Sequence, residues 1–484
     1  MISFITSIIL LITAYFIYGK FIENVFKIDI NRKTPAIKLK DGVDYMPLPT
    51  WRIFLIQFLN IAGLGPIFGA IAGAMFGPSA FLWIVFGTIF AGAVHDYFSG
   101  MLSVRHDGLS ISEIVGLYLG PKLKHVMRIF TVILLVFVGT VFLVGPGKII
   151  DGMTGNTLGV WLWVLIILCY YILSTLLPID KLISKIYPLF GFAMLFMAIG
   201  LGMVLLFGDY QIPELVPSNL VNMKTNPDKN PMFPILFVTI ACGAISGFHA
   251  TQSPLMARCI KNEALGRKVF FGAMITEGIV ALIWAAVAMV FFENVQGLNI
   301  AMAEHGNNAA WAANEISLNM LGNIGGVLAL LGIVAAPITS GDTAFRSARL
   351  ILADIFKFNQ KPIKNRLYLS VPLFVIAFVL TQVDFAIIWR YFAWSNQTLA
   401  MVVLWTITAY LIKEKKTYWI TLIPALFMTM VCSTYILIAP EGFQLNHTIS
   451  YGGGVVITLI IFILFKRYTK KINELNKVEL RDTF

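Results

Sequence analysis

The feature that most constrains this chain is a near-unbroken succession of apolar runs about 20 residues long, separated by short polar segments. A helix of about 20 apolar residues crosses the roughly 30 Å hydrocarbon core of a bilayer. The 484 residues are 58% hydrophobic and 13% charged, and the mean hydropathy is +0.82. Soluble domains are about 45–50% apolar and about 25% charged. Lipid is therefore the solvent for most side chains. Backbone groups facing lipid must be satisfied within their own segment, so the runs are helices. The runs never pause long enough for a soluble domain, and 1–484 reads as one all-α polytopic membrane domain.

Thirteen spans are expected, roughly over 2–20, 53–75, 80–102, 126–145, 159–177, 186–208, 233–256, 269–292, 323–345, 366–382, 385–411, 417–438 and 449–466. The stretch Ala309–Leu321 is helical in pattern but too short to cross, and is placed as a surface helix. Met1–Ile22 lacks a basic leader, and Lys20 and Lys27 follow its apolar run, so it reads as a span with its N-terminus outside. That orientation puts all but four of the 36 Lys and Arg on the cytoplasmic side, including those of 178–185 and 466–484. The four left outside are Lys148, Lys224, Lys229 and Arg390. The net charge of +11 is scattered among these short loops, which excludes a nucleic-acid surface. Cys169, Cys242, Cys259 and Cys432 show no metal-ligand spacing, and no disulfide is expected. Gly145-Pro146-Gly147 with Lys148 is read as the outer end of a span.

Two spans are interrupted near their middles. One contains Ile61-Ala62-Gly63-Leu64-Gly65-Pro66, the other Ala241-Cys242-Gly243-Ala244-Ile245-Ser246-Gly247-Phe248-His249. In a helix interior Gly costs about 1 kcal/mol and Pro about 3 kcal/mol relative to Ala. Such breaks are tolerated at bilayer depth only where the freed backbone faces protein or a cavity. Small residues can also simply permit close helix packing. The breaks, however, lie in the second and seventh spans, so equivalent positions are five spans apart. An odd separation gives two units of opposite orientation, the pattern of two inverted five-helix repeats each opening with a discontinuous helix. The repeats are expected over 53–208 and 233–411, with 1–22 an extra N-terminal helix and 417–466 two extra C-terminal helices. The half-helices after Pro66 and Gly247 present positive dipole ends near the midplane, which suit a small carboxylate. Pro66 fits a first helical position, where its missing N–H is not needed.

These residues resemble a known family. Gly63-Leu64-Gly65-Pro66-Ile67, Gly92-Ala93-Val94-His95-Asp96-Tyr97 and Ala241–His249 are similar to stretches of the carbon starvation protein A (CstA) family. So are Ser340-Gly341-Asp342-Thr343-Ala344-Phe345-Arg346 and Phe392-Ala393-Trp394-Ser395-Asn396-Gln397-Thr398-Leu399-Ala400. The resemblance covers roughly 50–410. It implies a bacterial cytoplasmic-membrane carrier of the amino acid–polyamine–organocation superfamily with a LeuT-like core. It further implies proton-driven uptake of pyruvate or peptides during nutrient limitation.

Ionisable residues at bilayer depth are functional candidates because burying them costs several kcal/mol. Asp96 or His95 exchanges the coupling proton, or Asp96 anchors an inner gate; alternatively the pair caps neighbouring helices or meets Arg105. Adjacent helical residues point about 100° apart, so the two need not form one dyad. His249, at the end of the second break, binds a carboxylate or carries a proton, or is a hydrogen-bonded structural histidine. Glu277 is a proton site or a neutral packing residue. Gly63, Gly65, Pro66, Gly243, Ser246 and Gly247 of the breaks, with Asn396 and Gln397, are the substrate-binding candidates; the two amides line the pathway or bridge helices. In LeuT-like carriers hydroxyls at the positions of Thr339 and Ser340, with carbonyls such as those of Ile61 and Ala62, form a sodium site. Otherwise the Ser/Thr pair satisfies its own helix. Trp389, Tyr391, Phe392 and Trp394 read as an interface belt rather than a substrate cage.

No catalytic residue, bound metal or cofactor is expected, and the coupling ion is a proton, with sodium as the alternative. A channel would need regularly repeated polar residues along a span, and none has them. An intramembrane metalloprotease would need His-Glu-x-x-His and a nucleotide-driven pump a Walker loop; both are absent. A sensor would need an output domain, for which the tail is too short. The reading is a proton-coupled importer of a small carboxylate, pyruvate first and short peptides second.

Overall fold

A computed structural model of the chain describes the backbone of all residues except 43, 156, 177, 178, 361 and 482–484. Side chains are described except at those positions and at 176, 179–186 and 471–481, so the basic segment expected over 178–185 and the end of the tail lie outside the described side chains. Among the described residues every regular element is helical. Each of the thirteen expected runs falls on helix. By length and apolar composition ten helices can cross a membrane, or eleven when the bent pair Thr50–Ile61 and Gly65–Ala74 counts as one span. The second interrupted run comprises two shorter helices, Met232–Thr239 and Gly247–Ala257, and Val160–Leu176 is also short. The Pro121–Met153 helix packs along Ala336–Phe356, and together with Gly272–Phe291 they enclose the broken helices.

Three expectations about individual elements change. Pro121–Met153 does not end at Gly145-Pro146-Gly147 but runs on for two more turns. Proline at position 146 leaves the Phe142 carbonyl without its helical donor. The Tyr171 hydroxyl supplies one, donating to Phe142 O at 2.9 Å, so the helix continues. Ala309–Leu321 is not an isolated surface helix: it leads into the next span through a turn at Gly322 (φ +59°), and Ala312, Ala313 and Ile316 are buried. The aromatic belt is also corrected in part. Phe392 is buried against Phe142 and Trp389 packs between Phe68 and Phe392, so both point inward, while Tyr391 alone of the four is exposed.

The two ends of the bundle gather the loops that the charge pattern had grouped. At one end the Glu214 carboxylate accepts from Ile2 N at 2.9 Å and Ser3 N at 2.8 Å, and Arg390 pairs with Glu441 at 3.2 Å. At the other, the fully buried Glu263 carboxylate takes Arg105 at 3.2 Å and Arg32 at 3.7 Å. There Lys416 Nζ donates to Phe26 O at 2.8 Å and Arg105 Nη2 to Lys27 O at 2.6 Å.

Candidate functional site

Both interruptions are real breaks. Thr50–Ile61 stops, and the chain bends by 52° before restarting at Gly65 with Pro66 in its first turn. Met232–Thr239 stops, Ser246 is extended, and Gly247 opens the next helix. The breaks lie against each other. A methyl group on Gly65 would sit 2.2 Å from Cys242 Cβ, and one on Gly243 would lie 3.7 Å from Pro66 Cα. Gly247 is wedged against Asn396 O and Ala400 N, each 2.5 Å from where a Cβ would be. Gly63 faces the Phe142 ring.

The freed backbone is satisfied by side chains from other helices, as a buried break requires. Thr88 Oγ1 donates to Gly243 O at 3.0 Å and Trp83 Nε1 to Ile240 O at 3.0 Å. Asn396 Oδ1 accepts from Phe248 N at 2.6 Å, capping the second half-helix from outside it. The same amide exchanges hydrogen bonds with Ser246 Oγ at 3.0 and 2.9 Å. Gln397 Nε2 donates to Phe237 O at 3.2 Å. Asn396 and Gln397 thus bridge the last core helix to the second broken one.

Beside the breaks lies a line of four fully buried ionisable side chains. Asp96 Oδ1 is 2.8 Å from His95 Nδ1, and Asp96 Oδ2 is 2.9 Å from His249 Nδ1. His249 Nε2 is 3.5 Å from Glu277 Oε2. Neither Asp96 nor His95 meets Arg105, which is held by Glu263 at the bundle end. The dyad that helical geometry left open does form. With Asp96 ionised, a carboxylate that only accepts, both Nδ1 atoms would donate to it, and a ring holding no second proton would keep its Nε2 lone pair free. His249 turns Nε2 towards Glu277, whose two oxygens have no hydrogen-bond partner. One proton between Glu277 and His249 would complete the line.

Cys242, His249 and Glu277 also offer three ligand atoms within 4.8 Å of one another. Zinc-bound ligands lie about 2.0–2.3 Å from the metal, so a cation here would need the trio to fit that distance. Cys242 Sγ is already engaged by Asn396 Nδ2 at 3.6 Å and by Ser246 Oγ at 3.5 Å.

The hydroxyl pair divides. Thr339 Oγ1 donates within its own helix to Ala336 O at 2.6 Å. Ser340 Oγ crosses to the first broken helix, but to Leu59 O at 3.0 Å rather than to Ile61 or Ala62. Sequence reasoning named Asp342, two residues after Ser340, only within a motif and not as a site residue; it is buried and accepts from Tyr187 OH at 2.7 Å. An acidic residue at bilayer depth was the signal that could have found it. It also missed Thr88, whose single hydroxyl in an apolar run gives no such signal.

A profile of the family described as carbon starvation protein CstA matches residues 1–145, 147–323 and 319–435. An uncharacterized membrane protein of Haemophilus influenzae is 44% identical over 63% of this chain and 94% of its own length. The peptide transporter CstA of Bacillus subtilis is 26% identical over 96% of each chain. The pyruvate/proton symporter BtsT of Escherichia coli is 28% identical over 62% of this chain and 50% of its own. In fold the chain is similar to an Eremococcus coleocola manganese transporter, with a TM-score of 0.54 at 15% identity over 89% of this chain and 99% of that one. Profile, relatives and fold agree with the site's motifs: the chain is a multi-pass membrane protein and belongs to the carbon starvation protein CstA family.

Proposed function

We propose that this protein is a secondary active transporter that imports a small carboxylate, pyruvate first, by proton symport through alternating access during nutrient starvation. The observation that carries the proposal is the contact between two helix breaks and a buried His95–Asp96–His249–Glu277 line. The breaks supply backbone dipoles for an anion, and the line supplies a place for one proton. Uptake of short peptides is the second reading, favoured by the name of the Bacillus subtilis relative, as pyruvate is by that of the Escherichia coli relative.

In this account the carboxylate is received by the backbone of Gly63–Pro66 and Gly243–Gly247, with Ser246, Asn396 and His249. A proton arriving at Glu277 or His249 removes the cost of an isolated buried charge, which is several kcal/mol. Loading of proton and substrate together then permits one bundle to rock against the other. The motion is one bundle against the rest around the broken helices that open the repeats 53–208 and 233–411, with 1–22 and 417–466 outside those repeats. The coupling ion is taken as a proton rather than sodium because the buried line offers a place for one, whereas Ser340 meets Leu59 O and not the Ile61 or Ala62 carbonyls that the sodium alternative calls for. No cofactor or resident metal is invoked. The protein is placed in the bacterial cytoplasmic membrane with its N-terminus outside and its C-terminus in the cytoplasm, on the distribution of Lys and Arg.

The test is uptake of labelled pyruvate by the purified protein in liposomes under an inward proton gradient, with dipeptides as competitors and a sodium gradient as the comparison. Proton-driven uptake that dipeptides leave unchanged supports the pyruvate reading. Tight vesicles holding folded protein that take up no pyruvate would overturn it in favour of peptides.

A further inference from the structure

The geometry points to a cationic antechamber on the outer side, which gathers carboxylate anions above the two breaks. This rests on the orientation and substrate class proposed above. A cavity of about 940 Å³ is floored by both broken helices, through Phe68 and Ala72 of the first and Val238 and Thr239 of the second. Lys148, Lys224, Lys229 and Arg390 all line it. These are the four Lys and Arg that the charge pattern leaves outside. Positive charge is scarce on that face, and all four of its cations gather around this one cavity.

The charges that could cancel them fall short. Arg390 pairs with Glu441 at 3.2 Å. Asp384 also lines the cavity and caps the following helix, accepting from Ala386 N at 2.8 Å; its charge acts on Lys148 and offsets one of the four cations. Among the described residues no carboxylate lies within salt-bridge distance of Lys148, Lys224 or Lys229. Lys148 and Lys224 instead lie over the faces of Phe385 and Phe76, each 4.8 Å from the ring centroid. Contacts of this kind hold an ammonium in place without neutralising it. Low-dielectric walls focus the field of the three lysines into the cavity. Carboxylates are concentrated there before reaching the breaks, whether from a small organic acid or from a peptide C-terminus.

A thiol placed in the cavity reads this field without any transport. Cys169, exposed on another helix, is first removed as Cys169→Ser. Ala303→Cys at the exposed cavity rim is the reporter, with Ala309→Cys as a second if the first fails to fold. The purified protein in liposomes is treated with anionic sulfonatoethyl and cationic trimethylammonioethyl methanethiosulfonate. Normalised to a free thiol, the anionic reagent should react faster by on the order of tenfold at low salt. The preference should fall towards one at high salt and in Lys224→Gln/Lys229→Gln. A ratio of one or below, or one unchanged by the double substitution, overturns the antechamber. This result does not depend on which substrate is carried, so failure of the pyruvate reading is separate. Protection then distinguishes the source: pyruvate and a free dipeptide should both slow the anionic reagent, and the dipeptide amide should not. Equal protection by the amide would refute carboxylate recognition.

Discussion

Replacing Glu263 by Gln should open the end of the bundle that the proposed orientation places at the cytoplasm. The Glu263 carboxylate is fully buried and accepts from Asp29 N at 2.8 Å and from Arg105 Nε and Nη2 at 3.3 and 3.2 Å. Arg105 is also stacked on Phe26, 3.9 Å from the ring centroid. Hydrogen bonds to charged groups contribute about 1.5–3 kcal/mol, and removing one partner of a buried ion pair costs about 3–5 kcal/mol. Glutamine keeps one acceptor for Asp29 N, and Arg105 has 15% of its side chain in contact with solvent, which offsets part of the loss. A cost of about 2–3 kcal/mol remains, enough to shift the closed-to-open ratio about 30- to 150-fold. Cys259 reports the change. It is fully buried at this end, and burial pushes its thiol up to about 12, so it reacts slowly while the end is closed. In a Cys169→Ser background, labelling of Cys259 in inside-out vesicles should rise at least about tenfold in Glu263→Gln. Unchanged labelling of a folded variant would refute the reasoning that this ion pair keeps its end of the bundle closed.

Glu277→Gln should retain exchange of labelled for unlabelled pyruvate but lose accumulation driven by protons. A gradient of one pH unit supplies about 1.4 kcal/mol and about tenfold accumulation in the parent protein. Gly65→Ala should destabilise the protein by about 1–3 kcal/mol, because its methyl group meets Cys242; thermal unfolding in detergent measures this, and Cys242→Gly should restore part of it. The anion preference of the outer cavity should weaken as pH rises through about 8, because burial lowers the Lys224 amine to about 8 and its charge is lost above that value. The other charged and titratable groups lining that cavity are Lys148, Lys229, His305, Asp384, Arg390 and Tyr435. The ratio of anionic to cationic reagent at Ala303→Cys, compared at pH 7 and 9, cancels the thiol's own titration.

The spans and both breaks were legible because each is a local property of composition: about 20 apolar residues, or Gly and Pro within them. Continuity across Pro146 was not legible, since the hydroxyl that rescues the Phe142 carbonyl comes from Tyr171 on another helix. Among the site residues, His95, Asp96, His249 and Glu277 stood out as charge in apolar runs. That Asp96 joins both histidines depends on how Ala93–Arg105 packs on Gly247–Ala257, which no spacing encodes. The cap on Phe248 N from Asn396 is of the same kind, a bond between residues 148 positions apart. Trp389 and Phe392 misled for the opposite reason: aromatic clusters at span ends serve interfaces and interiors alike.

Proton movement with pyruvate tests the central claim most directly. Tight liposomes holding the purified protein and a trapped pH dye, with the membrane potential clamped, receive external pyruvate without an imposed pH gradient, and protein-free liposomes supply the background. The account predicts lumenal acidification that follows pyruvate entry and disappears in Glu277→Gln. Pyruvate entry through the protein with no accompanying proton would contradict it.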